Sequence, residues 1–314
     1  MSLPGLAREE LARIATGRDS AVTIGKFDGV HRGHKHLVSS LCRTAKEAGL
    51  ASIVVTLHPN PLTVLRPGVP ITYLCTLEER LELLRAEGPD SVGILSFTSE
   101  LSQLSAQDFL TLLIEGLQMR ALYIGPDMAL GRGREGDQTR LRELAGEMGF
   151  NLEVAPLLSE DGGKVGSSAI RQALAAGEME RVAEQLGRPY SLGGPVVTGE
   201  ARGRTIGFPT ANIAVAPDLA LPAFGVYITR AHLDGADYVS CTNIGIRPTF
   251  ESAEARPTIE TYIMDFEGDI YGRHLRIELL HRLRDELKFE SLPGLIAAID
   301  DDVEQTRRYF ALHA

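Results

Sequence analysis

Two histidines follow a glycine-containing turn near the start of the chain, in the stretch TIGKFDGVHRGHKHLV (23–38). His31 and His34 lie where an apolar run ends and a helical pattern begins, so once helical they share one face. Amides at a helix start carry partial positive charge and bind phosphate well, and Gly29 and Gly33 allow a phosphate close to the backbone. Imidazoles there can donate hydrogen bonds to charge that grows on a leaving pyrophosphate. Two solvated histidines on a turn are the structural alternative.

A second stretch that could handle phosphate lies in the other half of the chain, GEARGRTIGFPTANI (199–213). A glycine-rich basic loop can drape over a triphosphate, and Thr210 and Asn212 offer neutral oxygen ligands of the kind that Mg2+ accepts. Glycine, proline and asparagine also favour turns, so a hairpin turn beside a strand is the structural alternative. The loop residues that could contact phosphate are Gly199, Gly203, Arg204, Gly207 and Pro209.

The composition restricts the class of partner. The 314-residue chain has a formal net charge of -10, and such a surface repels nucleic acid and anionic lipid. Anionic substrates would therefore have to bind through local groups, namely backbone amides, helix starts, a few basic side chains and a divalent cation. We predict neither a nucleic-acid partner nor a membrane partner.

Targeting and redox features predict a cytoplasmic location. No apolar run approaches the ~20 residues that span a bilayer. The N-terminal stretch MSLPGLAREELARI contains acidic residues and lacks the apolar core of a secretory signal. The three cysteines, Cys42, Cys75 and Cys241, are scattered and form no CxxC pair. This favours a reducing compartment and argues against a metal cluster.

The first half of the chain, residues 20–157, alternates apolar strand patterns with amphipathic helical patterns. Strands that alternate with helices predict a parallel sheet wrapped by helical crossovers, an α/β, Rossmann-like domain. Ligands of such sheets bind beyond the carboxyl ends of the strands, which is where His31 and His34 lie. The predicted strands after AVTIG are SIVVTL (52–57), SVGILSF (91–97), ALYIG (121–125) and NLEVAPL (151–157).

Near residue 191 the pattern changes to short strands separated by turns. This spacing predicts an antiparallel β-barrel, and the final stretch, SLPGLIAAIDDDVEQTRRYFALHA, predicts a closing helix. We place the boundary within GRPYSLGG, which gives domains 1–186 and 187–314. The predicted barrel strands are PVVTGEA, TANIAV, GVYITRAHL, DYVSCTNIG, TIETYIMDF and LRIELLHRL.

One apparent motif is rejected. The residues from Gly131 to Gly136 fit GxGxxG, the fingerprint of dinucleotide-binding folds. That fingerprint requires its first glycine directly after a strand, and here PDMAL separates the glycine from the strand ALYIG. We interpret the segment as a basic loop and predict no NAD site.

The N-terminal stretch resembles the nucleotidyltransferase superfamily, which joins a nucleoside triphosphate to a phosphate and releases pyrophosphate. GKFDGVHRGH (25–34) is similar to the version in bacterial bifunctional riboflavin kinase/FAD synthetases. VGSSAIRQAL (165–174) matches a second family element, (S)STxIR, which opens a helix after the last sheet strands. The resemblance implies a catalytic role for His31 and His34. It also implies nucleotide or phosphate binding by Gly25, Phe27, Asp28, Gly29, Asp127, Ser167, Ser168 and Arg171.

Two stretches depart from the family pattern. TLHPNP (56–61) stands where the family usually has an acidic residue followed by Pro-His-Pro, so that His58 replaces the acid and Asn60 the central histidine. In the loop after ALYIG, Met128 and Leu130 replace two aromatic residues. These departures motivate the alternative that the adenylyltransferase site has decayed.

The C-terminal half resembles the riboflavin kinase domain, with FGVYI, NIGIRPTF, IETYIMDF, DIYGRHLRIEL and LRDELKFESLPGL in the family order over roughly residues 187–310. The resemblance implies that Glu260 accepts the proton of the ribityl hydroxyl, as a carboxylate within hydrogen-bond reach can. An outward-facing strand glutamate is the structural alternative. The resemblance also implies a metal site at Thr210 and Asn212. Flavin contacts are implied for Arg284, Lys288 and Phe289.

We therefore predict a bifunctional enzyme of FAD biosynthesis. Its C-terminal barrel phosphorylates riboflavin with ATP to give FMN, and its N-terminal domain transfers AMP from ATP to FMN to give FAD and pyrophosphate, both with Mg2+. The predicted partners are the small molecules ATP, riboflavin and FMN. Two alternatives stay open, a riboflavin kinase with a decayed second site and a non-catalytic flavin-binding regulatory protein. An unrelated cytidylyltransferase would explain the first motif but not the C-terminal half.

Overall fold

The computed structural model describes residues 4–155, 159–160, 163–199, 203, 206–247 and 256–313. By its internal contacts the chain divides into two compact units, Met1–Ser167 and Ser168–Ala314. Within the described ranges, no helix is both long enough and apolar enough to cross a membrane.

The first unit is built on a parallel sheet. Its described strands are β1 (Ser20–Gly25), β2 (Ala51–His58), β3 (Ser91–Ser96), β4 (Met119–Ile124) and β5 (Asn151–Val154), followed by a small antiparallel pair, β6 (Ser159–Glu160) and β7 (Gly163–Lys164). The sheet order is β3-β2-β1-β4-β5, and every neighbouring pair in it is parallel. The predicted parallel sheet is thus confirmed. The direction of winding reverses between β1 and β4, and ligands of such sheets bind at the carboxyl ends beside this reversal.

Helices flank the sheet. In the described part of the first unit they are α1 (Gly5–Ile14), α2 (Arg32–Ala48), α3 (Pro61–Leu65), α4 (Leu77–Ala86), α5 (Ser99–Ser102), α6 (Ala106–Leu117) and α7 (Gln138–Met148). Six of these seven begin at a side-chain cap. In α4, α6 and α7, for example, Thr76, Ser105 and Asp137 each accept a hydrogen bond from the amide three residues further on.

The core lies on both faces of the sheet because strand side chains alternate in direction. Val22 and Ile24 belong to one apolar cluster, which includes Leu110 of α6. Ala21 belongs to the other, with Leu41 of α2. The sheet is therefore covered by helices on both faces, as the alternating pattern predicts.

The second unit contains a closed barrel. Its described elements are α8 (Ser167–Ala176, starting at the last residue of the first unit), α9 (Met179–Leu186), β8 (Tyr190–Val197), β9 (Thr210–Ile213), β10 (Gly225–Leu233), β11 (Ala236–Arg247), β12 (Arg256–Ile263), β13 (His274–Arg284) and α10 (Leu292–Leu312). The barrel order is β10-β11-β12-β9-β8-β13, and all described pairs are antiparallel. The predicted barrel and closing helix are confirmed. The domain boundary between residues 186 and 187 stays a prediction.

The barrel interior contains a chain of hydroxyl groups within an apolar core. Thr229 lies 2.7 Å from Ser240 and 2.8 Å from Thr242, measured between hydroxyl oxygens, and Thr242 lies 2.9 Å from Thr261. All four residues are 0% exposed. Their hydrogen bonds satisfy polar groups that would otherwise be costly to bury. Alternate residues of β11 and β12 therefore point to the opposite face, which is where the predicted kinase residues lie.

Candidate active sites

The loop that follows β1 has a strained backbone. Phe27, Gly29 and Val30 have positive φ angles of 47°, 77° and 39°, a region that non-glycine residues rarely adopt. The Phe27 and Val30 side chains are 1% and 0% exposed, and they belong to the apolar cluster that includes α2 and the sheet. Burial of two apolar side chains therefore holds a strained loop at the carboxyl end of the strand, a place where strain commonly serves a functional site.

Polar contacts fasten this loop to the residues that lead into α4. Asp28 is 3% exposed, its Oδ1 atom accepts a hydrogen bond from the Leu74 amide at 2.9 Å, and Nη2 of Arg80 lies 3.9 Å from the same atom. The Gly29 amide donates to the Cys75 thiol at 3.3 Å. The Asp28 carboxylate therefore faces the protein interior. Its predicted contact with the nucleotide stays a prediction.

The two histidines lie together at the start of α2. His31 is the N-cap residue, and its Nδ1 atom accepts a hydrogen bond from the His34 amide at 3.4 Å. The imidazoles are stacked, with ring centroids 3.6 Å apart and an angle of 19° between their planes, and the Phe27 ring meets His34 edge-on. Gly33 makes room, because a Cβ atom there would lie 3.2 Å from the His31 ring. The structure brings the pair together, and their catalytic role stays a prediction.

Burial and neighbouring cations keep His34 neutral. Its pKa lies well below the ordinary value of 6.5, first because burial penalises the charged form and then because of the positive charges of His31, Lys26 and Arg80. The Nδ1 atom of His34 is buried and has no hydrogen-bond partner among the described residues. A neutral imidazole still donates one N–H hydrogen bond. A bound polyanion would raise this pKa by adding negative charge nearby.

The second family element meets the loop between β1 and α2, residues 26–31, through a hydrogen bond; because this loop is predicted to bind phosphate, we call it the phosphate loop. α8 begins at Ser167, whose hydroxyl donates to the carbonyl oxygen of Asp28 at 3.1 Å. Ser168 and Arg171 follow on the same helix. A helix start offers amides and a positive dipole end to a phosphate. The predicted triphosphate contacts of Ser168 and Arg171 stay predictions.

The loop after β4 folds back on itself. Asp127 is exposed in a turn next to the end of the strand, and Leu130 and Gly136 exchange two backbone hydrogen bonds of 3.0 and 2.9 Å. Gly131 has a φ of 77°, and a Cβ atom there would lie 2.5 Å from a backbone nitrogen of α6. Met128 and Leu130 pack against the apolar core of the sheet. The glycines of the apparent GxGxxG motif thus serve this fold-back and its packing on α6.

The residues that replace the family's Pro-His-Pro have local structural roles. Asn60 is the N-cap of α3, since its Oδ1 atom accepts a hydrogen bond from the Leu62 amide at 3.1 Å. The backbone amide of Asn60 donates to the Tyr73 hydroxyl at 2.9 Å. His58 is the last residue of β2, and its ring centroid lies 6.1 Å from that of Tyr73. Asn60 is buried, so its side-chain oxygen is committed to the helix.

In the second unit, Glu260 faces two asparagines on neighbouring strands. The register places it opposite Asn212 of β9 and opposite Asn243 of β11. Its neighbours in sequence, Ile259 and Thr261, are 2% and 0% exposed and fill the barrel. Glu260 therefore points to the other face of β12, a direction that the alternating sequence pattern alone left open.

A cavity of about 300 Å³ opens on this face of the barrel. Glu260 and Tyr262 line it from β12, and Leu295 and Ile299 line it from α10. Its lining combines many apolar side chains with a few polar groups, the usual character of a site for a small organic ligand. The closing helix is thus a wall of the candidate site.

The predicted metal residues share a strand face with the cavity. Thr210 and Asn212 alternate on β9, so both point to the face that carries Glu260, and Thr210 lines the cavity. Gly199 lies directly over Asn212, because a Cβ atom there would meet the asparagine amide group. The glycine lets the preceding strand end approach this side chain closely.

The glycine-rich loop is described in part. Gly203 lines the cavity, and its carbonyl oxygen accepts a hydrogen bond from the Phe208 amide at 2.9 Å. Gly207 has a φ of 91°, a conformation that favours glycine. Pro209 directly precedes β9. Arg204 lies outside the described residues, and the predicted phosphate contacts of this loop stay predictions.

An ion pair holds Arg284 in the cavity wall. Its Nε and Nη2 atoms donate to Oδ1 and Oδ2 of Asp302 at 2.9 and 2.6 Å, a bidentate geometry that fixes the guanidinium. The guanidinium carbon lies 5.9 Å from the centroid of the Phe289 ring, and both residues line the cavity. Lys288 is exposed and is not part of the lining. The three predicted flavin contacts stay predictions.

Sequence reasoning missed several residues of both sites. Asp302 lies in an acidic run of α10 that is typical of a solvated helix face, yet it is 3% exposed. Asn243 becomes notable through its register with Glu260 and its place in the cavity lining. Arg80 had a signal in the sequence, because it lies four residues before Leu84 on the apolar side of α4, and both are buried.

The chain matches two family models. The model described as FAD synthetase matches residues 13–169, and the model described as riboflavin kinase matches residues 186–310. A bifunctional riboflavin kinase/FMN adenylyltransferase of Listeria monocytogenes is 35% identical over 297 residues, which cover 94% of this chain and 94% of the relative. The enzyme of the same description from Bacillus subtilis is 35% identical over 309 residues, which cover 98% of this chain and 95% of the relative.

A solved structure agrees over nearly the whole length. A crystal structure from Streptococcus pneumoniae, described as a macrolide-efflux protein, is similar with a TM-score of 0.88 and 31% identity, covering 97% of this chain and 98% of its own. The order of the two family models, the parallel sheet and the closed barrel agree with the relatives' two-part description. This chain belongs to the family of bifunctional riboflavin kinase/FMN adenylyltransferases.

Proposed function

We propose that this chain makes FAD from riboflavin in two ATP-dependent steps. The barrel transfers the terminal phosphoryl group of ATP to riboflavin and gives FMN, and the parallel-sheet unit transfers the adenylyl group of ATP to FMN and releases pyrophosphate. The observation that carries the proposal is the position of Glu260, which faces Asn212 and Asn243 in the register and lines a cavity together with Arg284 and Phe289. Membership of the family supports both steps.

In the kinase step, Glu260 accepts the proton of the ribityl hydroxyl. The hydroxyl oxygen forms a bond to the γ-phosphorus of ATP, the bond from that phosphorus to the bridging oxygen breaks, and ADP leaves. Because phosphoryl transfer is loose, the proton departs late and needs a carboxylate within hydrogen-bond reach. The flavin ring occupies the cavity between the strands and α10, beside Arg284 and Phe289.

Mg2+ fits the donor set on β9. Thr210 and Asn212 offer a hydroxyl and an amide oxygen on one face, and Glu260 lies opposite Asn212. Hard oxygen ligands of this kind suit Mg2+, which would offset negative charge on the phosphates. Gly203 and its neighbours in the glycine-rich loop would cover the triphosphate.

The adenylyl transfer needs no base in the protein, because the phosphate of FMN is already anionic. One of its oxygens forms a bond to the α-phosphorus of ATP, and the bond from that phosphorus to the bridging oxygen breaks. His31 and His34 donate hydrogen bonds to the pyrophosphate as its charge grows. Ser168 and Arg171 hold the triphosphate, and arginine suits this role because its forked guanidinium is always charged.

We propose a cytoplasmic enzyme whose partners are small molecules. A net charge of -10 disfavours nucleic acid and anionic lipid. Lys26, a cation of the loop that also acts on His34, would then attract the phosphates against the charge of the whole chain.

The test is to incubate the purified chain with riboflavin, ATP and Mg2+ and to separate the flavins by chromatography. FMN followed by FAD is the expected result. FMN without FAD would leave a riboflavin kinase with a decayed second site, and FMN supplied as substrate would check that outcome directly. Bound riboflavin without any product would overturn the proposal and favour a flavin-binding regulatory protein.

A further inference from the structure

Arg80 of α4 is a buried cation to which neither proposed reaction assigns a role. Its side chain is 2% exposed, although arginine is almost never enclosed in this way without a partner. Removing a charge from water is costly unless another group compensates it. Its Nε atom has no hydrogen-bond partner among the described residues. Compensation for the buried charge therefore has to come from the groups that its Nη atoms and its planar face contact.

The guanidinium of Arg80 lies between a carboxylate and an aromatic ring. Its Nη2 atom is 3.9 Å from Oδ1 of Asp28, whose side chain is 4% exposed. Its carbon atom lies 5.5 Å from the centroid of the Tyr73 ring, within cation–π range. The same Oδ1 atom accepts the Leu74 amide. Arg80 thus faces the carboxylate that ties the phosphate loop to the residues before α4.

This carboxylate is part of the loop that places the histidines. Asp28 lies between Phe27 and Gly29, both with positive φ, and the N-cap His31 follows within the same loop. A strained loop keeps its shape only where its surroundings hold it. A displacement at Asp28 would therefore be passed to His31 and, through the stacked rings, to His34.

The charge of Arg80 also acts on His34 directly. The charged or titratable groups that face His34 are His31 at the N-cap, Lys26 in the loop and Arg80 on α4, and each lowers the pKa of His34. Burial is the larger cause. Removal of the guanidinium charge would therefore raise this pKa part of the way towards its ordinary value.

We propose that Arg80 is a positioning residue for the adenylyl transfer, whose buried guanidinium, paired with Asp28, holds the phosphate loop in the shape that sets His31 and His34. This inference rests on the proposed adenylyltransferase function. Stability alone gives no strong reason for such a pair, because apolar residues of similar volume often replace buried ion pairs without loss of stability.

The test compares Arg80→Met with Arg80→Lys and with Arg85→Met. Arg85 lies on the same helix and is exposed, so its substitution controls for the loss of a positive charge from α4. Misplacement of reacting groups by about 1 Å can cost about a hundredfold in rate. We expect Arg80→Met to slow adenylylation by about tenfold to a hundredfold, Arg80→Lys to recover part of the loss, and Arg85→Met to behave as the unsubstituted chain. The kinase rate of each variant, catalysed by the other unit, is the internal control for the concentration of chain, and urea denaturation followed by circular dichroism is the control for folding of the first unit.

A second readout does not depend on activity. Titration of the histidine resonances by NMR should show a higher pKa for His34 in Arg80→Met than in Arg85→Met, which a purely structural role would not require. If Arg80→Met fails to fold, the double variant Arg80→Met with Asp28→Asn removes both charges and takes its place in both measurements, with the same expected losses.

The possible outcomes distinguish a failure of the positioning role of Arg80 from a failure of the proposed adenylyltransferase function. Absence of adenylylation in the unsubstituted chain would defeat the proposed function. Normal adenylylation in Arg80→Met, or in the double variant, would overturn the positioning role alone. Equal losses of kinase and adenylyltransferase rates, with an unchanged pKa of His34, would also overturn it and assign Arg80 to general stability.

Discussion

Among single residues, Glu260 gives the sharpest separation of the two activities. Glu260→Gln keeps the size of the side chain and removes the carboxylate that we propose accepts the ribityl proton. We expect the kinase turnover to fall by about 10²–10⁴, the range for a positioned base. Adenylylation of supplied FMN should stay unchanged, because His31 and His34 belong to the other unit. Separate assays of the two steps measure both.

A barrel carboxylate outside the cavity provides the matched control. Glu278 of β13 forms an ion pair with Arg230, has a carboxylate oxygen 3.2 Å from Nε2 of His232, and is not part of the cavity lining. Glu278→Gln should therefore leave the kinase turnover close to that of the unsubstituted chain. A similar loss of turnover in both variants would mean that Glu260 supports the barrel rather than the reaction.

Because His34 resists protonation in the folded chain, it makes the free energy of unfolding depend on pH. In the folded chain its pKa lies well below 6.5, whereas in the unfolded chain it takes up a proton near pH ~6.5. As the pH falls below about 6.5, the unfolded state binds a proton that the folded state does not, so the free energy of unfolding decreases. Above that pH this contribution is constant.

We therefore expect His34→Gln to flatten the acid side of the stability profile. As the pH falls, the free energy of unfolding of the unsubstituted chain should decrease by up to about 1.4 kcal/mol per pH unit through this one group. Urea denaturation of the first unit, followed by circular dichroism, measures this decrease. His36→Gln on the same helix is the control. A profile of His34→Gln that matches that of His36→Gln would contradict the prediction.

Among the elements, the loop after β4 depends on glycine at one position more than at its neighbour. Gly131 and Gly133 have φ values of 77° and 62°. A Cβ atom at Gly131 would meet the backbone of Ala106, whereas nothing lies within 4 Å of one at Gly133. A side chain at either position would therefore strain the backbone, but only a side chain at Gly131 would also clash with another part of the chain.

We expect Gly133→Ala to lower the free energy of unfolding by about 1–2 kcal/mol, the cost of a left-handed alanine. Gly131→Ala should lower it by more, because the loop must also move away from the start of α6. Chemical denaturation of both variants measures the difference. Equal losses would show that the loop accommodates the extra atom without moving.

The elements that sequence reasoning found and those it missed differ in length and in glycine content. α2, α4, α6 and α7 span enough turns to show a helical period, whereas α3 (Pro61–Leu65) and α5 (Ser99–Ser102) do not. β8 begins at Tyr190, before the predicted PVVTGEA, because Gly193 and Gly194 weaken the strand pattern there. Motif spacing placed His31 and His34 correctly at a strand end. The pairing of Arg80 with Asp28 joins residues far apart in sequence, and periodicity carries no information on such contacts.

In the whole molecule, the compact second unit begins before the predicted kinase boundary. α9 packs against β8 and β13, and its residues Met179, Val182 and Leu186 are each 0% exposed. Full burial of one such side chain contributes roughly 1.5–3 kcal/mol, and a domain is stable by only about 5–15 kcal/mol in total. A fragment that starts at residue 187 keeps every barrel strand and α10 but loses this packing.

We therefore expect two fragments to share their chemistry and to differ in stability. Residues 187–314 should make FMN at the same rate per folded molecule as residues 168–314, because both contain Glu260, Thr210, Asn212 and α10, while the shorter fragment should unfold at a lower concentration of urea. Neither should make FAD, since both lack His31 and His34. Chromatography of the flavin products and denaturation followed by circular dichroism measure the two properties. Folded 187–314 without kinase activity would contradict the predicted boundary at residue 186, and equal stability of the fragments would contradict the contribution of α9.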